Sequence, residues 1–306
     1  MELIEKYPRD MKGYGEHTPD PKWPNGARLA LSFVLNYEEG GEYNVLHGDD
    51  HSESYLSEMV GLSPRMGQRY PFAEDIFEYG SRCGAWRILR LFDERSLHLT
   101  VYGVGLALEL NPEIAHAFTR GGHETASHGY RWIEYSDMSE EDEREDIKKS
   151  IAAIEKTTGQ RPLGNYTGRY SHNTRRLIVE EGGFLYDSDA YNDDLPYWLE
   201  VENKPHLVIP YDLCNNDFKF SLSPGWMSAD DFYQYLKNSF DCLYQEGKTA
   251  PKMMSVGLHG RLGGRPGRAV AIARFLDYVQ KHNEVWICKR VDIARHWMKA
   301  NPFNQT

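Results

Sequence analysis

Two adjacent carboxylates, Glu38 and Glu39, close the apolar run in LSFVLNYEEGGE, residues Leu31–Glu42. In that position one carboxylate could take a proton from water while the other binds a metal or orients a partner. Neighbours on an extended backbone point to opposite faces, so both can serve one pocket only where the strand has already turned, which Gly40 and Gly41 permit. A solvated acidic pair is the plainer alternative.

His123 and His128 lie in GGHETASHGYRW. Their odd separation works against a shared strand face, and the HExxH spacing of zinc proteases occurs nowhere. His259 follows an apolar run in VGLHGRLGGRPGR, where a strand end could present it as a proton donor, with Arg261, Arg265 and Arg268 close by. That stretch is glycine-rich, but it contains no phosphate-binding GxxxxGK[ST]. Asp187, Asp189, Asp193 and Asp194 in YDSDAYNDD offer oxygen ligands without the twelve-residue EF-hand spacing, so a solvated acidic loop competes with calcium binding. Cys83, Cys214, Cys242 and Cys288 form no CxxC pair, which indicates neither a disulfide framework nor a zinc-thiolate site.

These groups need a scaffold that gathers strand ends. ARLALSFVLNY (27–37) is almost continuously apolar, as suits a strand covered on both faces, and SLHLTVYGVG (96–105) has the same character. Between them SRCGAWRILRLFDER presents a helical stripe through Trp86, Leu89, Leu91 and Phe92. The alternation continues with a helix over 107–122, a short strand at HETASHG, and a helix capped by Ser139 and stopped by Gly159. Strands at RPLGNYTGRY, FLYDSDAY, HLVIPYDL, KMMSVGLHG and EVWICKR are then separated by helices in HNTRRLIVEEGG, FYQYLKNSFDCLYQ and RAVAIARFLDYVQ. Polar and glycine residues gather just after the strands. An α/β barrel would bring those ends to one rim, and a doubly wound sheet would bring them to a crevice. One catalytic domain over 1–306 is expected, with 1–26 as a leader and 42–79 as a long excursion over the strand ends that either covers substrate or forms subunit contacts.

Composition narrows the partners. The 306 residues carry 46 acids against 35 Lys and Arg, a formal charge of -11, with no basic tail, so a nucleic-acid partner is not expected. No apolar run is long enough to span a membrane, and the first residues hold no apolar signal-peptide core, which points to a cytoplasmic protein. Twenty Tyr and seven Trp exceed what a minimal core needs and fit a pocket lining or a subunit interface.

Taken in order from Ala27 to Trp297, these segments resemble the polysaccharide deacetylase superfamily, built on the NodB homology domain, which implies a distorted (β/α) barrel. The family's TFDDG segment, whose acids are general base and metal ligand, corresponds to NYEEG and puts Glu38 at the base and Glu39 at the metal position. Its GHEIGNHTWSH segment corresponds to GHETASHGYRW. His128 then matches one metal-binding histidine, and Trp132 stands where the other belongs. An indole nitrogen has no lone pair for a metal, so the usual triad is broken. No tight metal site and no cofactor are expected, with a weak site through Glu39 and His128, completed by His123 or His259, as the remaining option.

The combination NYEEGGE, EYGSRCG, SHGYRW, GFLYDSD and GLHGRLGGRPGR is similar to the PuuE-type allantoinase branch of that superfamily. This resemblance implies hydrolysis of a small-molecule substrate, allantoin, to allantoate in purine degradation, by a cytoplasmic homotetramer. On it Glu38 is the base, its pKa raised by burial and by Glu39, and His259 donates the proton to the ring nitrogen. His128 holds the water or polarises the carbonyl, and Glu39 orients His128. Trp132 and Tyr166 wall the pocket, while Asn36, Arg169 or Arg261 meets the ureido and carbonyl groups. A metal-dependent deacetylase of an N-acetylated sugar or peptidoglycan fragment, and a non-catalytic ureide-binding or assembly protein, remain the alternatives.

Overall fold

The structure is a computed structural model that describes residues 7–303; the first six residues of the leader lie outside the described residues. The chain opens with β1 (Leu29–Tyr37), the small hairpin β2 (His51–Ser52) and β3 (Arg65–Met66), and the helices α1 (Pro71–Tyr79) and α2 (Ala85–Asp93). There follow β4 (Thr100–Gly103), α3 (Gly105–Leu110), α4 (Pro112–Arg120), β5 (Glu124–Ser127), α5 (Glu140–Thr158), β6 (Gly164–Asn165), α6 (Thr174–Glu181) and β7 (Tyr186–Asp187). The hairpin β8 (Tyr197–Val201) and β9 (Lys204–Val208), then α7 (Ala229–Glu246), β10 (Lys252–His259), α8 (Pro266–Val279), β11 (Val285–Ile287) and α9 (Arg290–Ala300) complete it.

The main sheet runs β10-β1-β4-β5-β6-β7-β9-β8, and β11 pairs with the first residues of β1. Every pairing in this sheet is parallel except β8 with β9. The sheet curls into a half-barrel of the distorted (β/α) type, and the C-terminal ends of β1, β5, β6 and β10 share one rim. All nine residues of β1 are buried, as a central parallel strand covered on both faces requires. Outside the sheet, Ala85, Ile88, Leu89 and Phe92 form the buried stripe of α2, and Phe92 meets Phe33 of β1 edge to face at 5.2 Å.

Several helices follow their end signals. Ser139 accepts the amide N–H of Asp142 (3.1 Å) to cap α5, and Gly159 stops it with φ 74°. The single helix expected over 107–122 is instead two. Pro112 offers no N–H and disfavours helical geometry at Asn111, whose side chain caps the second helix by accepting the Ile114 N–H (3.4 Å).

Other elements were not foreseen. Strand β8 escapes notice because its turn, Glu202–Asn203, takes left-handed φ values of 50° and 58° without glycine. Helix α9 buries Val291, Ala294 and Trp297 directly after a strand. The excursion is not loop throughout, since Pro71 starts α1 inside it. Nor does the leader hang free: Trp23 is buried against Trp286 and Trp297 and donates its Nε1–H to the Lys252 carbonyl (2.9 Å).

Candidate active site

Three strand ends build the centre. Tyr37 is the last residue of β1, and the turn after it, closed by the Gly41 N–H to the Glu38 carbonyl (2.8 Å), buries both Glu38 and Glu39. His128 follows β5 directly, and His259 ends β10, where it is the register partner of Asn36.

Glu38 Oε1 lies 3.2 Å from His128 Nε2 and 3.5 Å from His259 Nε2, while its Oε2 accepts from the Arg261 guanidinium at 2.6 Å. Each imidazole is fixed by its other nitrogen. His128 Nδ1 donates to the Tyr166 carbonyl (2.6 Å), and His259 Nδ1 donates to Asp217 Oδ1 (2.6 Å). Both Nε2 atoms are therefore the ones that exchange a proton with Glu38 or with a bound molecule. Asp217 also accepts the backbone N–H of His259 and of Gly263, each at 2.7 Å, so the strand end and the loop after it close on one carboxylate.

The two glutamates divide in their acidity. Burial alone pushes the Glu38 carboxyl up, but the charges of Arg261 and His259 and the bond from His128 hold it well below the usual carboxylate range. Burial, added to by the Glu38 charge, pushes Glu39 up against the pull of Arg261. Glu38 is thus lowered where a raised value is expected from sequence, because a buried guanidinium supplies the counter-charge. Burial also disfavours the His259 imidazolium, yet Glu38 and Asp217 raise it to about 9.

Glu39 makes no hydrogen bond to His128, contrary to the orienting role expected for it. Its oxygens accept the N–H groups of Glu38 (3.1 Å) and Arg261 (3.3 Å), and its side chain packs on Gly80. Arg261 is wholly buried behind Glu38 and donates to the Leu56 carbonyl (3.0 Å), so it faces the carboxylate and does not line the cavity.

The rim encloses a cavity of about 160 Å³. Glu38, His128, His259 and Asn36 line one side, and Tyr55, Trp132, Tyr166, Tyr191 and Phe218 supply ring faces. Tyr166 stacks on His128 with centroids 5.1 Å apart. Arg169 reaches the wall with its guanidinium 3.9 Å above Trp132, anchored to Glu53 (3.1 Å) and Glu134 (3.4 Å). Tyr55 and Leu56 bring part of the 42–79 excursion into this wall.

The remaining candidates lie elsewhere. His123 precedes β5 and His128 follows it, so the strand holds them at opposite ends; burial lowers His123 to about 4 while its Nδ1 accepts the Leu99 N–H (3.2 Å). Asp187 pairs with Arg175 (2.8 Å) and His206 (2.6 Å), and Asp189 accepts the N–H groups of Thr167 and Gly168, the loop carrying Arg169. Asp193 accepts the Leu195 N–H (3.0 Å).

These side chains are not set to hold the superfamily's metal. Trp132 offers no lone pair, Glu39 is turned to backbone N–H groups, and the buried guanidinium already sits 2.6 Å from Glu38 and 3.7 Å from Glu39. Among the described residues no group of three or more His, Cys, Asp or Glu is arranged around a metal position. This donor set does not fit the metal.

Asp217 is the main residue that escapes sequence inspection. Its signal is the NND cluster between Leu213 and Phe218, polar residues a few positions beyond a strand, as at Glu38, but displaced into a separate loop.

Comparison with known proteins identifies the family. The polysaccharide deacetylase family matches residues 76–183. A polysaccharide deacetylase relative from Schizosaccharomyces pombe is 42% identical over 96% of this chain and 98% of its own. Among solved structures, a polysaccharide deacetylase relative from Pseudomonas aeruginosa superposes with a TM-score of 0.96 at 56% identity, over 97% of this chain and 100% of that one. PuuE allantoinase superposes with a TM-score of 0.96 at 54% identity, over 97% and 99%. The chain belongs to the polysaccharide deacetylase family of hydrolases.

Proposed function

We propose that the protein is a cyclic-amide hydrolase that opens the hydantoin ring of allantoin to give allantoate. One observation carries this reading: an ionised Glu38 faces a small, ring-walled cavity with Arg261 at its back and two histidines at its front, where other members of the fold would place a metal. The likeness to PuuE allantoinase along the whole chain supports the same substrate class. A cavity of that size with stacked aromatic faces suits one planar heterocycle better than a polymer chain.

In the reaction Glu38 takes a proton from water as the water oxygen bonds to the ring carbonyl carbon. His128 Nε2 holds that water or polarises the carbonyl, and hydrogen-bond donors carry the developing oxyanion. When the carbon–nitrogen bond breaks, its electron pair stays on nitrogen, which takes the proton from His259 Nε2. The proton on Glu38 Oε1 then passes to His259 Nε2, 3.5 Å away, and restores both groups. Water has been divided between a new carboxyl group and a new N–H. Trp132 and Tyr166 enclose the ring, and Arg169 meets its ureido side.

The proposal includes purine-degrading work in the cytoplasm and a homotetrameric assembly, both implied by the family likeness; light scattering reads the second. Among the described residues no helix is long and apolar enough to cross a membrane. The test is conversion of allantoin to allantoate by purified protein of measured metal content, with and without a strong chelator. Turnover that survives metal removal is expected. Chelator-sensitive acetate release from an N-acetylated sugar, with allantoin untouched, would establish the deacetylase instead, and allantoin binding without turnover would establish the binding protein.

A further inference from the structure

Asn36 lines the cavity beside His259, its partner across β1 and β10. Its amide has a fixed sense. Nδ2 lies 3.3 Å from the Leu258 carbonyl, which can only accept, and 3.2 Å from the Tyr211 hydroxyl, so nitrogen faces both and Oδ1 faces away from them. Oδ1 accepts no hydrogen bond among the described residues, and it is not one of the sealed polar atoms. The other amide in the wall, Asn216, is spent at both ends, Nδ2 on Tyr211 (3.2 Å) and Oδ1 on the Phe218 N–H (3.0 Å). One amide oxygen therefore stands unfilled next to the histidine that holds the transferable proton.

We propose that Asn36 reads the leaving nitrogen: Oδ1 accepts the N–H of the scissile amide and restricts turnover to amides that carry a hydrogen there. This rests on the amide-hydrolase reading above and extends it to substrate selection. A planar amide nitrogen has no basic lone pair; one develops only as water adds to the carbonyl and the nitrogen turns pyramidal. Holding the N–H at Asn36 leaves that lone pair directed to the neighbouring strand, where His259 Nε2 carries the proton it needs. An N-alkylated amide offers Oδ1 nothing, and an acceptor stripped of water without a partner is costly.

The test compares allantoin with its analogue methylated at the scissile ring nitrogen, alongside an N-acetylated amino sugar and its N-methyl analogue as the acyclic pair. Wild-type protein is expected to favour the N–H member of whichever pair it hydrolyses by about 10- to 100-fold in kcat/KM. Asn36→Leu keeps the γ-branched shape and removes the acceptor, while Tyr211 retains its bond from Asn216. It should depress the N–H substrate by a similar factor and the N-methyl substrate far less. Equal wild-type rates within a pair overturn the proposal without any variant, and so does an Asn36→Leu protein that keeps the wild-type ratio. Hydrolysis of only the acyclic pair removes the ring-opening reading while still judging Asn36, and turnover of neither pair removes both.

Discussion

Glu38 is an unusual base because its surroundings favour its charged form so strongly. An isolated carboxylate this deeply buried would take up a proton; Arg261 at 2.6 Å and the His259 imidazolium prevent that. The guanidinium supplies fixed positive charge, and His259 supplies the movable proton, so charge and proton transfer are handled by different groups. Glu38→Gln separates them. It keeps the shape and a hydrogen-bond acceptor for Arg261, but it cannot take a proton. Hydrolysis should fall by about 10²- to 10⁴-fold. The buried cations lose a counter-charge, so stability should fall by about 3 kcal/mol. Steady-state kinetics with denaturant unfolding on the same sample reads both, and unchanged turnover would remove Glu38 from its role.

At the scale of elements, the site depends on how closely the turn between α1 and α2 approaches it. Gly80–Gly84 forms one π-helical turn, and both glycines have ordinary right-handed φ values, so what they provide is room and not backbone freedom. A Cβ on Gly80 would overlap the Glu39 carboxylate, and one on Gly84 would overlap the Gly260 carbonyl. Gly80→Ala should push Glu39 off the N–H groups of Glu38 and Arg261 and cost about 10- to 100-fold in kcat/KM through misplacement of its neighbour. Gly84→Ala should act mainly on stability, by about 1–3 kcal/mol, because backbone meets backbone there. Kinetic and thermal measurements on the pair test the division; a Gly80→Ala protein with wild-type kinetics would show that Glu39 has no positioning role.

The same scale explains what was legible. Strands announce themselves as apolar runs, and the polar residues that end a run mark rim positions, which is how Glu38 and His259 stand out, whereas His128 follows the polar ETAS segment and is marked only by the family resemblance. Asp217 does not, because its loop lies beyond the end of β9 and returns to β10 only in three dimensions. The direction of Arg261 was equally hidden: nothing in GLHGRLGG says whether the side chain turns toward substrate or back under Glu38. His123 misleads for the opposite reason, since nearness in sequence across a short strand means separation in space.

For the whole molecule, the buried ion pairs couple folding to pH. Below about pH 8 several shifts overlap: burial raises Asp189 and Glu42 to about 7, so both are only half ionised at neutrality, and lowers His123 to about 4. From about pH 8 to 9 His259 governs the trend. Its folded pKa of about 9 exceeds the ordinary 6.5, so the native state binds the proton more tightly than the unfolded chain. The stabilisation is complete below 6.5, declines as pH rises, and is gone once pH passes through about 9. At about 1.4 kcal/mol per pKa unit, the loss between pH 7 and 9 is about 2–3 kcal/mol. The acid that protonates the leaving nitrogen disappears over the upper part of the same range, so kcat/KM should fall above about pH 9. Urea unfolding of wild type and His259→Gln at several pH values isolates the contribution. The wild-type curve should slope downward and the variant's should be flatter, because a glutamine amide has no proton to lose in this range. Parallel slopes would mean that the proton between Glu38 and Asp217 is not held by His259, and the assignment of the acid would fail with it.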